Sequence, residues 1–173
     1  MKKPTIPAIP TTYAGVNFRS RLEAKWAAVF DACGWPWEFE PLDLDGYIPD
    51  FLLRLPYGRI AVEVKPIAWD GTGIDDDLIA ATRAKFLAWD GPALIVGAFV
   101  QERFGELRDD GIWTPAAPFR CLDCGALSFC AEDNAWICRV NGCDGGRRII
   151  DVGGFDRVAI FRAAANAVQW RPR

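Results

Sequence analysis

The stretch Tyr47-Ile48-Pro49-Asp50-Phe51-Leu52-Leu53, followed after Arg54-Leu55-Pro56-Tyr57-Gly58-Arg59 by Ile60-Ala61-Val62-Glu63-Val64-Lys65, decides how the chain is read. Both apolar runs are strand-like, and the Pro and Gly between them supply a turn. Residues two apart on a strand share a face. Ala61, Glu63 and Lys65 therefore line one side, and Ile60, Val62 and Val64 the other. Asp50 opens the first run, while a carboxylate and an ammonium stand side by side at the end of the second. Such charges on apolar strands are costly unless they do chemistry or pair locally.

Upstream, Asn17 to Cys33 has the spacing of an amphipathic helix, with Phe18, Leu22, Trp26, Val29, Phe30 and Cys33 on its apolar face. Gly34 and Pro36 end it. Glu23 lies at the border of that face, within reach of a site beneath the helix. Ser20-Arg21-Leu22-Glu23 also matches a capping box, in which Glu23 satisfies a backbone amide. Trp37-Glu38-Phe39-Glu40 alternates as a short strand. Downstream, a second helix is expected over about 75–90, with Leu78, Thr82, Phe86 and Trp89 buried and Asp75, Asp76 and Asp77 at its positive N-terminus. An apolar strand follows over 93–99. The polar stretch from Gln101, ending in Trp113-Thr114-Pro115-Ala116-Ala117-Pro118, reads as a linker or as the wall leading into a separate insert. A last helix is expected over 155–170, with Val158, Phe161, Ala165 and Val168 on its inner side.

With 173 residues, 51% of them hydrophobic and 25% charged, the chain suits one domain with a small appendage. No apolar run is long enough to span a bilayer. The start, Met1-Lys2-Lys3 with Pro4, Pro7 and Pro10, lacks a signal core and reads as a flexible arm, which places the expected location in the cytoplasm. The net charge of −3 hides an uneven distribution: Arg19, Arg21 and Lys25 cluster early, and Arg139, Arg147 and Arg148 cluster late. These arginines are the candidate nucleic-acid contacts, against the plainer reading of a solvated mixed surface. The chain has no histidine, which removes serine–histidine and cysteine–histidine pairs, histidine bases and histidine-bearing zinc sites.

The order helix, three strands, helix, strand allows Glu23, Asp50, Glu63 and Lys65 to converge. Phosphodiester hydrolysis calls for a hard cation on carboxylate oxygens. Asp50 and Glu63 would hold magnesium or manganese, Lys65 would orient water or steady developing charge, and Glu23 would hold a water or a second cation. Pro49-Asp50 and Glu63-Val64-Lys65, preceded by a helix bearing Glu23, resemble the PD-(D/E)XK nucleases. Tyr13-Ala14-Gly15-Val16-Asn17-Phe18-Arg19-Ser20-Arg21-Leu22-Glu23-Ala24-Lys25-Trp26 resembles small phage and prophage members of that superfamily, and the likeness runs from residue 13 to about 99. The resemblance implies an α/β fold with a restriction-endonuclease-like core, a central mixed sheet flanked by helices. It further implies that Asp50 and Glu63 bind Mg2+ or Mn2+, that Lys65 is the catalytic lysine and that Glu23 is the helix acid. The glutamine some exonuclease branches carry on the next helix is missing; Thr82, Arg83 and Lys85 stand there.

Six cysteines in a cytoplasmic chain point to metal before disulfides. Cys121, Cys124, Cys138 and Cys143, spaced C-x2-C-x13-C-x4-C, resemble a zinc ribbon closing a structural Zn2+ site. The second pair is wider than the usual two-residue gap. Cys130 is a spare or an alternative ligand, and Cys33 reads as core packing. With Trp136, Arg139, Asn141, Arg147 and Arg148 around it, the ribbon either clamps a DNA backbone or stacks on a base, or is a staple for a segment with little core.

The chain is thus expected to comprise an arm (1–12), a nuclease core (13–118), a zinc-ribbon module (119–150) and a terminal helix (151–173) that packs back on the core. The expected activity is that of a Mg2+-dependent deoxyribonuclease, an endonuclease acting on double-stranded or branched DNA. A homodimer pairing two sites, and a phage or repair complex, are the expected protein partners. The rivals are a catalytically silent nucleic-acid-binding module and a protein-docking subunit built on the same fold.

Overall fold

A computed structural model describes residues 8–67, 76–98, 104–107, 113–131, 137–143 and 157–168. A small hairpin comes first, β1 (Thr11–Tyr13) against β2 (Val16–Phe18). Thr11 and Thr12, read as part of the arm, are thus paired. Helix α1 (Arg21–Cys33) starts later than its apolar spacing suggests, because Asn17 and Phe18 belong to β2. Ser20 caps it through a complete capping box with Glu23, and Gly34 ends it at φ 71, in the left-handed region that favours glycine.

A seven-stranded mixed sheet forms the body. Strands β3 (Trp37–Phe39), β4 (Phe51–Leu55) and β5 (Gly58–Val64) form an antiparallel meander. Leu55 pairs with Gly58, so Pro56 and Tyr57 make a two-residue turn. Helix α2 (Asp76–Lys85) then crosses to β6 (Ala93–Val96), which runs parallel to β5. Strands β7 (Phe104–Leu107), β8 (Trp113–Arg120) and β9 (Leu127–Ala131) extend the sheet antiparallel beyond β6. The fold is mixed α/β, with the parallel pair at its centre.

The alternation along β5 sorts its side chains as expected. Ile60, Val62 and Val64 join the main core with Trp26, Phe30, Trp35 and Phe51. Ala61 enters a smaller cluster with Phe86 and Ala93, edged by Tyr47 and Trp89. Helix α3 (Arg157–Ala167) packs on α1, where Phe161 meets Trp26 edge-on with ring centres 5.4 Å apart. Phe161, Ala164 and Val168 are buried, whereas Val158, expected inside, is exposed.

The stretch read as a linker is a correction: Trp113 to Pro118 lie in β8, inside the sheet. Proline cannot donate to a ladder and reads against an inner strand. Staggered pairing resolves the conflict. Residues 113–116 pair with β7 and residues 116–120 with β9, so Pro115 faces only β7 and Pro118 only β9. Each proline therefore has the single-sided environment of an edge. The same staggering places residues 119–120 and 127–131 of the expected ribbon module in the main sheet, with the first cysteine knuckle as the turn between them.

Candidate active site and metal centre

The three acids singled out in the sequence are all buried, Glu23 at 8%, Asp50 at 5% and Glu63 at 4% exposure. Asp50 immediately precedes β4, and the β4–β5 pairing brings it beside the end of β5, where the Val64 amide donates to Asp50 Oδ2 at 2.7 Å. Glu63 lies one residue away on the opposite face. Lys65, just past the strand, donates to Glu63 Oε1, and the Tyr47 hydroxyl donates to Glu63 Oε2 at 2.6 Å. Glu23 approaches from α1 closely enough for its charge to act on Asp50.

Burial, then the charge of Glu63, push the Asp50 carboxyl from 3.8 up to about 7, with Glu23 adding in the same sense. The Val64 amide and Arg19 oppose the shift. The Tyr47 phenol is also held far above its usual value, by burial first and by its bond to Glu63 next. The site therefore gathers more negative charge than its surroundings compensate.

Arg19 is an unexpected member. Sequence clustering assigned it to nucleic acid, yet its guanidinium bridges Asp50 Oδ1 at 2.6 Å and Glu40 Oε1 at 2.7 Å. Its side chain remains 62% exposed. Glu40 holds φ 50, a strained value for a residue with a Cβ, and its amide donates to the Asp50 carbonyl at 2.9 Å. Glu23 serves the capping box as well: Oε2 accepts from the amides of Arg19 at 3.0 Å and Ser20 at 3.4 Å. Arg21 is half-buried, and its Nε has no hydrogen-bond partner among the described residues. Tyr47 was missed as a site residue because an aromatic at a strand border reads as core. Its signal was the position three residues before Asp50. The Lys85 ammonium lies 5.3 Å from the centre of the Tyr47 ring.

The second centre is the cysteine cluster. The Sγ atoms of Cys121, Cys124, Cys138 and Cys143 all lie within 4.8 Å of one another, so the four residues can hold a metal ion such as zinc. A tetrahedron with Zn–S bonds of about 2.3 Å has sulfur–sulfur edges of roughly 3.8 Å. Cys124 and Cys138 are 3.9 Å apart.

The wide second gap has a local explanation. In the first knuckle, the Gly125 amide donates to the Cys121 carbonyl at 2.8 Å, and the Cys121 amide to the Ala126 carbonyl at 2.8 Å. The second knuckle repeats this, with Gly142 on Cys138 at 2.7 Å and Cys138 on Cys143 at 2.9 Å. Gly125 and Gly142 hold φ 72 and φ 69. Asn141 thus stands where the first knuckle has Cys124, and Cys143 stands where it has Ala126. Asn141 has not left the site: its side chain bonds Cys124, which is the main cause that brings that thiol down to about 6. Burial and the neighbouring thiols push Cys143 up to about 12, and burial raises Cys121.

Arg139, another expected nucleic-acid contact, pairs with buried Glu106 at 2.6 Å, and its amide donates to Ser128 at 2.8 Å. It fastens the second knuckle to β7 and β9. Arg147, Arg148 and Trp136 lie outside the described residues, as does the side chain of Cys130, whose backbone sits in β9. Cys33 is buried in the main core, and burial raises its thiol to about 12. No described helix is long and apolar enough to cross a membrane. Comparison of the chain with family models, with curated proteins and with solved structures finds no match.

Proposed function

We propose that the chain is a divalent-cation-dependent DNA endonuclease of the restriction-endonuclease-like kind, with zinc in the cysteine cluster. One observation carries the reading: three buried carboxylates, Glu23, Asp50 and Glu63, meet at the open end of the β4–β5 hairpin with Lys65 on Glu63. Buried acids gathered this closely are costly even with their hydrogen-bond donors, and a hard cation with oxygen ligands relieves the cost. The donor set fits magnesium or manganese, with Asp50 and Glu63 as its ligands. When bound, the cation polarises a phosphoryl oxygen and acidifies an attacking water. Lys65 then turns from Glu63 towards the developing negative charge on the phosphoryl group. Tyr47 fixes the second oxygen of Glu63 and so the direction of the first. Glu23 adds negative charge beside Asp50 while it caps α1.

Arg19 favours a second reading. Its guanidinium already neutralises Asp50, as it would in a silent binding module that never takes a cation. The test offers supercoiled, linear, single-stranded and branched DNA with magnesium or manganese to the wild type, Lys65→Ala and Glu63→Ala. The nuclease cuts at least one substrate and both variants lose at least about 100-fold in rate, in line with loss of transition-state charge stabilisation. A wild type that cuts nothing, or variants that cut equally well, refute the reading.

A further inference from the structure

At the turn end of the same hairpin, away from the acids, lies a pocket of about 250 Å³ between the hairpin, the α2–β6 connection and the second knuckle. Its walls include Tyr57, Arg59, Trp89, Asp90 and Arg139. Their neighbours hold them in place. The Trp89 indole donates to the Pro92 carbonyl at 2.9 Å, and a Cβ on Gly91 would come within 3.1 Å of that ring. The Tyr57 amide donates to Val140 at 2.9 Å, and its ring lies against the Gly142 backbone. The charge of Arg139 is taken by Glu106. Arg59 is exposed, lies 5.5 Å from the centre of the Trp89 ring, and has no carboxylate partner among the described residues.

We propose that this pocket binds one unpaired nucleobase together with its phosphate. Two aromatic rings and a guanidinium provide what single-stranded recognition uses, a stacking platform with a cation beside it. The size matters: ligand pockets usually span about 300–1,000 Å³, so this one suits a single ring system. A base stacking on Trp89 takes the place Arg59 holds, which turns the guanidinium to the phosphate. Asp90 accepts from an exocyclic amine, which favours adenine, cytosine or guanine over thymine and uracil. The site does not depend on hydrolysis at Glu63. The base could come from a single strand or from a free mononucleotide.

Fluorescence polarisation with labelled oligo-dA, oligo-dC, oligo-dT and duplex, together with calorimetry on AMP and CMP, tests the proposal. The Glu63→Ala protein, without magnesium, is used so that cutting and binding fail separately. Oligo-dA and oligo-dC bind more tightly than oligo-dT and than duplex. Trp89→Ala weakens binding roughly 5- to 150-fold and Trp89→Phe restores most of it. Arg59→Ala weakens binding and flattens its salt dependence, and Asp90→Asn removes the discrimination against dT. Calorimetric binding of AMP or CMP within about tenfold of the strand would identify the nucleotide itself as the ligand, and its absence would identify the strand. Duplex preferred to single strands, or unchanged affinity in both Trp89→Phe and Arg59→Ala with no loss in Trp89→Ala, overturns the proposal.

Discussion

Replacing Asp50 by asparagine should stabilise the protein fully above neutral pH and progressively less as the pH falls towards 4, with roughly a third of the gain remaining at about pH 5. The unfolded chain releases this proton near 3.8, and the folded chain holds it to about 7. Between those values the folded state binds more protons, so stability falls as pH rises, and the whole cost is present above pH 7. Roughly three decades at about 1.36 kcal/mol each amount to about 4 kcal/mol. Asparagine keeps an oxygen for the Val64 amide and carries no charge to bury. The ion pair with Arg19 that it gives up is already contained in the folded value of about 7 and is not subtracted again. The gain above pH 7 is therefore about 4 kcal/mol, or roughly 8–16 °C in Tm for a chain of this size. Thermal melts followed by circular dichroism at about pH 5 and about pH 8, without divalent cation, measure it. Millimolar magnesium should then raise the wild-type Tm at pH 8 and leave Asp50→Asn unmoved. An asparagine variant that melts with the wild type at pH 8, or below it at both values, refutes the account of Asp50 as a strained acid awaiting a cation.

Glu23→Gln should hold stability within about 0.5 kcal/mol, since glutamine completes a capping box equally well, yet reduce cleavage; Glu23→Ala should also cost about 1 kcal/mol in urea unfolding. Equal activity in wild type and Glu23→Gln would confine this acid to the cap. Gly142→Ala should destabilise by about 1–3 kcal/mol, because its Cβ would lie 2.3 Å from the Tyr57 ring at φ 69, and Tyr57→Ala should recover part of that loss in a double-mutant cycle. Metal analysis of freshly purified protein should find one zinc per chain, and Cys121→Ser should lower it; zinc-free wild type would remove zinc from the assignment.

The part of the fold written in short-range pattern was legible. The capped helix, the Pro56–Tyr57 turn, the alternation on β5 and the first cysteine knuckle each depend on residues a few positions apart. What the sequence did not show depends on partners brought from far away. Arg19 looked like a phosphate contact because its sequence neighbours are basic, but in space its neighbours are Glu40 and Asp50, the latter 31 residues on. Arg139 likewise has a partner that no local window contains, buried Glu106 on another strand. β8 was hidden by two prolines whose acceptability rests on how β7 and β9 are staggered, and no local window contains that information. Tyr47 carries no polar pattern, and only the path of the connection before β4 turns its hydroxyl to Glu63.

The β4–β5 hairpin joins these observations, because both centres depend on its register. Phe51 pairs with Val62, which brings the Val64 amide within reach of the Asp50 carboxylate; a slip of one residue would carry Glu63 to the other face of the sheet and leave Asp50 without its donor. The open end cannot fix this register alone, since the acids there repel one another. At the other end the Tyr57 amide bonds Val140 between the second pair of cysteines, and the Tyr57 ring presses on Gly142, the glycine that closes the knuckle. A metal that stiffens the knuckle therefore holds the turn, and the turn holds the register on which the acid site is built. On this argument the cysteine cluster does more than staple a segment poor in core: its stability is transmitted along two strands to the place where three buried carboxylates must be kept together.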